Sequence, residues 1–155
     1  MDEEIEMIYF TSNMHLGHEA VIHMCNRPFK NVEEMNRALI RNINSMVHKN
    51  DTVYLLGDAT HRISLDEAND LISKLNGHKI RIRGNHDKKY DKSLFEGIYD
   101  FLALKGSCST SISLMHYAMP EWPKSRYGSI HLHGHQHNGF EYNMQMKEQE
   151  IKSMM

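Results

Sequence analysis

Apolar residues recur along the first half of the chain with two different spacings. Residues 5–11, the run Thr52-Val53-Tyr54-Leu55-Leu56 and the run Lys79-Ile80-Arg81-Ile82-Arg83 are short, rich in β-branched and aliphatic side chains, and read as strands. Between them the period lengthens to that of a helix. Asn31, with Glu34 three residues on, forms a capping box ahead of a stripe of Val32, Met35, Leu39, Ile43 and Met46. Ser64 and Glu67 do the same for a second stripe, Leu65, Ala68, Leu71, Ile72 and Leu75, which stops at Asn76-Gly77. The order βαβαβ predicts parallel strands, with ligand-binding groups gathered at their carboxyl ends. In the second half, residues 98–104, 108–116 and 129–133 read as further strands, and a loop over 117–128 carries Pro120 and Pro123. A mixed or second sheet is expected there.

Composition narrows the class. At 155 residues, with 40% hydrophobic and 25% charged side chains, the chain is expected to form one domain over 1–155, in which 139–155 is a polar, helical tail. A net charge of −2 argues against a broad electrostatic footprint for duplex nucleic acid or an anionic membrane. No apolar run approaches the ~20 residues that span a bilayer, and the start Met1-Asp2-Glu3-Glu4 is acidic where a signal peptide is basic, so a cytoplasmic location is expected. Cys25 and Cys108 form no CxxC or finger spacing and read as unpaired thiols.

Histidine is the outlier, with 12 copies. His131, His133, His135 and His137 fall on every second position; in an extended segment His131 and His133 share the face opposite Ile130 and Leu132, but past Gly134 the chain is expected to turn and the alternation to lapse, so some of the four are expected to be structural. Four polar clusters each follow an apolar run: Asn13-Met14-His15, Gly57-Asp58, Gly84-Asn85-His86-Asp87 and Gly134-His135-Gln136-His137. Taken singly they are ordinary. Asp58 could be a turn or N-cap carboxylate, the Asn85-His86-Asp87 segment a plain turn, His116 a satisfied core residue at a strand end, and His15 or His18 a cap for the following helix.

Their order is what carries information. Asx-x-His, Gly-Asp, Gly-Asn-His-Asp, a strand-final His and Gly-His-x-His, each at a strand end, resemble the calcineurin-like metallophosphoesterase family over about residues 5–138. Tyr9-Phe10-Thr11-Ser12, Arg27-Pro28-Phe29 and Ser129-Ile130-His131-Leu132-His133 look like its small, uncapped bacterial and phage branch. The resemblance implies an α/β fold of two packed mixed β-sheets flanked by helices, and two divalent transition-metal ions drawn from Mn, Fe, Zn, Ni or Co. It places Asn13, His15, Asp58 and His137 around one ion and Asp58, Asn85, His116 and His135 around the other, with Asp58 shared. The oxygen and imidazole donors suit such ions. The implied reaction is hydrolysis of a phosphate ester, with a nucleotide-like diester favoured because the chain is too short for a cap, by attack of hydroxide held between two ions roughly 3.5–4 Å apart. His86 resembles the histidine that contacts the phosphoryl oxygen or protonates the leaving alkoxide, with Asp87 expected to orient it. His18 and Arg126 are the substrate-binding candidates.

Two departures stand out. Asn13 occupies the slot the family usually fills with aspartate, so the first ion loses an anionic ligand and is expected to bind less tightly. This leaves a second reading, a weakened or silent member that serves as a protein-binding scaffold. The C-terminus fits a helix but supplies no final strand, and a sheet edge left open in that way invites a homodimer.

Overall fold

A computed structural model describes residues 5–106 and 109–137. The elements follow in the order β1 (Ile8–Thr11), α1 (Ala20–Met24), α2 (Val32–Met46), β2 (Thr52–Leu55), α3 (Leu65–Ser73), β3 (His78–Ile82), β4 (Gly97–Tyr99), β5 (Phe101–Lys105), β6 (Ser111–Met115) and β7 (Ile130–Leu132). Strands β1-β2-β3-β4 form a parallel sheet in that order. A second sheet, β5-β6-β7, is mixed, with β5 antiparallel and β7 parallel to β6. Two sheets with helices were expected, and this is that architecture.

The side-chain alternation of β2 explains how the layers stack. Val53 and Leu55 face α2 and α3, where they pack with Ala68, Ile72 and Leu75. Tyr54 and Leu56 face the other way, into a layer with Ile82, Leu114, Leu102, Leu104 and Leu132 from between the sheets. A strand buried on both faces needs an unbroken apolar run, and residues 53–56 supply it. β5 has only one covered face and so alternates, with Leu102 and Leu104 partly buried and Phe101, Ala103 and Lys105 exposed.

Both N-caps form, without the reciprocal bond, among the described residues, from Glu34 or Glu67 to the cap's own N–H that would complete a capping box. Asn31 Oδ1 accepts the Glu34 N–H at 2.9 Å, and Ser64 Oγ accepts the Glu67 N–H at 3.2 Å. The stripes behind them are narrower than expected. Met46 is 59% exposed at the last turn of α2 and Leu65 41% exposed at the first turn of α3, because each helix overhangs the sheet there. The first strand begins at Ile8 rather than residue 5.

The expected strand over 98–104 is two strands. β4 completes the parallel sheet, and after Asp100 the chain crosses to the second layer as β5. One continuous strand would have to pair in both sheets at once; Asp100 marks the crossing and binds Arg83 Nη1 at 2.8 Å. The tail over 139–155, Cys108 and the open edge argued from that tail lie outside the described residues.

Candidate metal centre

Every expected ligand lies just beyond the carboxyl end of a strand: Asn13 and His15 after β1, Asp58 after β2, Asn85 after β3, His116 after β6, His135 and His137 after β7. Backbone bonds carry the sheet's register on into these turns. The N–H groups of Asn13, His15 and Leu16 donate to the carbonyls of Gly57, Asp58 and Ala59 at 3.1, 3.0 and 2.9 Å, and the Gly134 N–H donates to the His116 carbonyl at 2.9 Å. Four of these residues hold a left-handed backbone, with φ of 51° at Asn13, 52° at His15, 53° at Asp58 and 63° at His135. Such conformations cost energy and cluster where side chains must be aimed at a site. Two glycines allow the turns to meet: a Cβ on Gly57 would lie 2.3 Å from His116 Nδ1, and one on Gly84 would lie 2.3 Å from Asp58 Oδ1.

Asp58 sits at the centre, fully buried. Its Oδ1 accepts the His86 N–H at 2.9 Å. Its Oδ2 faces His116 Nε2 at 3.3 Å on one side and His15 Nε2 at 3.8 Å on the other. Burial alone would raise this carboxyl, but hydrogen bonds from His116 and the His86 N–H, with the nearby imidazoles, hold it down at about 2. It is a carboxylate across the physiological range.

The donor chemistry around His116 asks for a cation. Its Nδ1 lies 2.8 Å from the Leu56 carbonyl oxygen, which can only accept, so Nδ1 carries the proton. In the neutral ring Nε2 is then a bare lone pair, and it faces Asn85 Oδ1 at 2.9 Å as well as Asp58 Oδ2. His135 Nδ1 points at the same Asn85 oxygen from 3.0 Å. One donor atom each from Asp58, His116 and His135 lie within 4.8 Å of one another, the spacing a shared ion needs. Without an ion, a proton on His116 Nε2 would pair it with these oxygens. Accordingly His116 is raised: burial opposes its charge, and Asp58 with the Leu56 carbonyl outweighs it.

On the other side of Asp58, His15 is buried with neither ring nitrogen hydrogen-bonded. Burial, reinforced by the charges of His137, Arg27 and His18 against the pull of Asp58, holds it down at about 3. A buried imidazole that is neutral and has no partner is a ligand in waiting. The His137 ring lies 4.9 Å from it, centroid to centroid. Asn13 Oδ1 accepts the His135 N–H at 3.0 Å, so this amide ties the last turn to the first and keeps one lone pair free. Among the described residues Asp58, His116 and His135 thus fit a divalent ion, and on the other side of Asp58 the unpaired ring nitrogens of buried His15 suit metal ligation.

The sequence model for calcineurin-like phosphoesterases matches residues 7–150. The chain belongs to that family. The family is described as one of phosphoesterases. An uncharacterized protein of Methanocaldococcus jannaschii, MJ1445, is 48% identical over 86 residues, 55% of this chain and 49% of that protein. The Gene 66 protein of Mycobacterium phage L5 is 37% identical over 81 residues, 51% of this chain and 39% of its own length. That of Mycobacterium phage D29 is 26% identical over 160 residues, covering 84% of this chain and 78% of the phage protein. The chain therefore spans about half or less of the first two relatives. A solved structure of a protein of unknown function from Aquifex aeolicus, AQ665, superposes with a TM-score of 0.69 at 28% identity, over 88% of this chain and 82% of that one. The phage relatives accord with a small bacterial and phage branch of the calcineurin-like family.

Two expectations need correction against this calcineurin-like site. Asp87 does not orient His86. Its side chain is buried, with Oδ1 accepting from the Ala59 N–H at 3.0 Å and the Tyr90 hydroxyl at 2.9 Å, and Oδ2 accepting the Gly84 N–H at 2.8 Å with Arg81 Nε 3.6 Å away. It clamps the β2 and β3 turns together. Arg126 is solvent-exposed on a short turn, paired with Glu121 Oε1 at 3.3 Å, because loop 117–128 folds on itself through Ser129 Oγ to the Pro123 carbonyl. It does not line the cavity at the centre. Cys25 is a free thiol, as expected, and its Sγ lies 3.3 Å from His137 Nδ1.

His18 is brought to the site, facing His15 at 5.6 Å between ring centroids. Two residues here were not foreseen. Arg27, half-buried, donates from Nη2 to the Asn13 carbonyl at 2.8 Å and from Nη1 to the Met14 carbonyl at 2.7 Å, fixing the turn that carries His15. The Arg27-Pro28-Phe29 motif was its only signal. His61 lies 4.0 Å from His86, tilted, and 4.5 Å from His18, edge-on, centroid to centroid, three residues past Asp58. His131 and His133 stay outside: His131 Nδ1 bonds the Ser113 carbonyl at 3.1 Å and His133 Nδ1 the Gly134 carbonyl at 3.0 Å. Among the described residues, no helix is long and apolar enough to cross a membrane.

Proposed function

We propose that the chain hydrolyses phosphodiesters, nucleotide-like ones being the class considered first, at a centre of two divalent ions bridged by Asp58. The observation that supports it is the placement of Asp58 Oδ2 between His15 on one side and His116 with Asn85 on the other, so one oxygen addresses two ligand sets. His15, Asp58, His137 and Asn13 would hold one ion and Asp58, Asn85, His116 and His135 the second. When bound, such a pair supplies a water acidified toward neutrality and positive charge for the phosphoryl oxygens.

The chain's own residues do the rest. A cavity of about 510 Å³ opens over Asp58 and is lined by His15, His18, His61, His86, His135 and His137. His86 is exposed on its rim while its backbone N–H is fastened to Asp58, so its imidazole is free to reach an ester oxygen. We assign it to proton delivery to the leaving alkoxide or to a phosphoryl oxygen, a role worth roughly 10²–10⁴ in rate. Neutral His18 and His61 offer N–H groups to the remaining oxygens. An exposed rim admits an ester with two substituents, which favours diesters.

The test is hydrolysis of bis-p-nitrophenyl phosphate with Mn²⁺, read together with metal content. Turnover should be weak in the native chain, higher in Asn13→Asp, and absent with both metals in Asp58→Ala. His86→Ala should keep its metals and lose roughly 10²–10⁴ of the rate. If even Asn13→Asp holds no metal and turns nothing over, the scaffold reading replaces this one.

A further inference from the structure

Cys25 closes α1, and its position is set by packing rather than by a free loop. Val21 and Ile22 of that helix are buried against Met35, and the Cys25 N–H donates to the Val21 carbonyl at 2.9 Å. Its thiol lies on the wall of the cavity above Asp58, beside His137. The Sγ to Nδ1 separation of 3.3 Å is close to the roughly 3.5 Å expected between sulfur and nitrogen donors on one tetrahedral ion, with bonds of about 2.3 and 2.0–2.1 Å. The His15 ring beside them is buried with no partner for either nitrogen and faces the same cavity. The position it shares with His137 is the one where Asn13 brings no negative charge.

Resting on the two-ion reading above, we propose that Cys25 is a ligand of the first ion, its thiolate supplying the anionic donor that Asn13 lacks. As the sulfur–metal bond forms, the thiol proton leaves to solvent, so the donor set becomes His15, Asp58, His137 and Cys25. Sulfur is a soft donor, and the position is thereby tuned away from Mn²⁺ and toward Zn²⁺ or Co²⁺. No sequence spacing could show this, because Cys25 and His137 are 112 residues apart.

The experiment loads the full chain with Co²⁺ and records its absorption spectrum. The native chain should show a near-ultraviolet thiolate-to-cobalt charge-transfer band as well as visible ligand-field bands. Cys25→Ser should lose the first and keep the second, while Cys108→Ser keeps both. Zn²⁺ affinity should fall by at least about 10-fold in Cys25→Ser, with Mn²⁺ affinity changing less. Superimposable cobalt spectra of the native and Cys25→Ser chains, or a band that follows Cys108, overturn the proposal and leave the two-ion reading standing. Failure of the chain to take up cobalt at all overturns both.

Discussion

At the scale of single residues, the site is ordered by groups that touch no substrate. Arg27 spends its guanidinium on the carbonyls of Asn13 and Met14, inside the turn whose N–H groups already pair with the β2 turn. Hydrogen bonds to a charged donor contribute about 1.5–3 kcal/mol each, and the partners here are carbonyls that a shorter side chain would leave bare. Arg27→Ala is therefore expected to destabilise the fold by about 2–4 kcal/mol. It should also loosen the first ion more than the second, since His15 is on that turn and His116 is not. Chemical denaturation measures the first effect, and stepwise metal titration the second. Equal loss at both ions would show that Arg27 is a general support and not a positioning residue for His15.

At the scale of elements, strands deliver the candidate ligands and glycines let their turns meet. Gly57 carries the larger burden, because its φ of 90° is unfavourable for any side chain and a Cβ there would strike His116 Nδ1. Gly57→Ala should cost about 1–2 kcal/mol for the backbone alone and displace His116 from the Leu56 carbonyl. Loss of the second ion with retention of the first, read by metal content, is the outcome expected. Asn31→Ala, at the head of α2 and outside the cavity lining, should cost about 1 kcal/mol and leave metal content unchanged. The contrast between these two variants mirrors what the sequence made legible. Caps such as Asn31 and Ser64 act over three residues and were readable, as were strand-end ligands whose motif includes its own strand. The crossing at Asp100, the overhang of Met46 and Leu65, the clamp made by Asp87 and the approach of Cys25 to His137 all depend on which layer lies opposite. Local periodicity does not contain that information.

At the scale of the whole molecule, the parallel sheet has two ends with different duties. The carboxyl end holds strained turns and clustered imidazoles, the amino end the capping carboxylate of Asp51. Asp51 Oδ2 accepts the His48 N–H at 2.7 Å and its Oδ1 the Met7 N–H at 2.9 Å, joining the approach to β1 with the turn between α2 and β2. Those bonds, His48 first, hold its carboxyl below the usual carboxylate range. The sign follows from linkage. A carboxyl depressed in the folded state contributes stability that is present above its unfolded value of about 3.9 and is lost as pH falls through the folded value. Asp51→Asn keeps one accepting oxygen but cannot titrate, so it should be less stable than the native chain at neutral pH and converge toward it as the solution is acidified below that value. Melting temperatures of the metal-free chains, taken from neutral pH down into the acid limb, measure this. Metal-free chains are required because protonation of the histidine ligands would otherwise add an acid-sensitive loss of ions at the opposite end of the sheet. A constant gap between the two melting curves at every pH would place the acid sensitivity elsewhere, and the remaining depressed carboxyls, Asp58 and Asp91, would be the next to substitute.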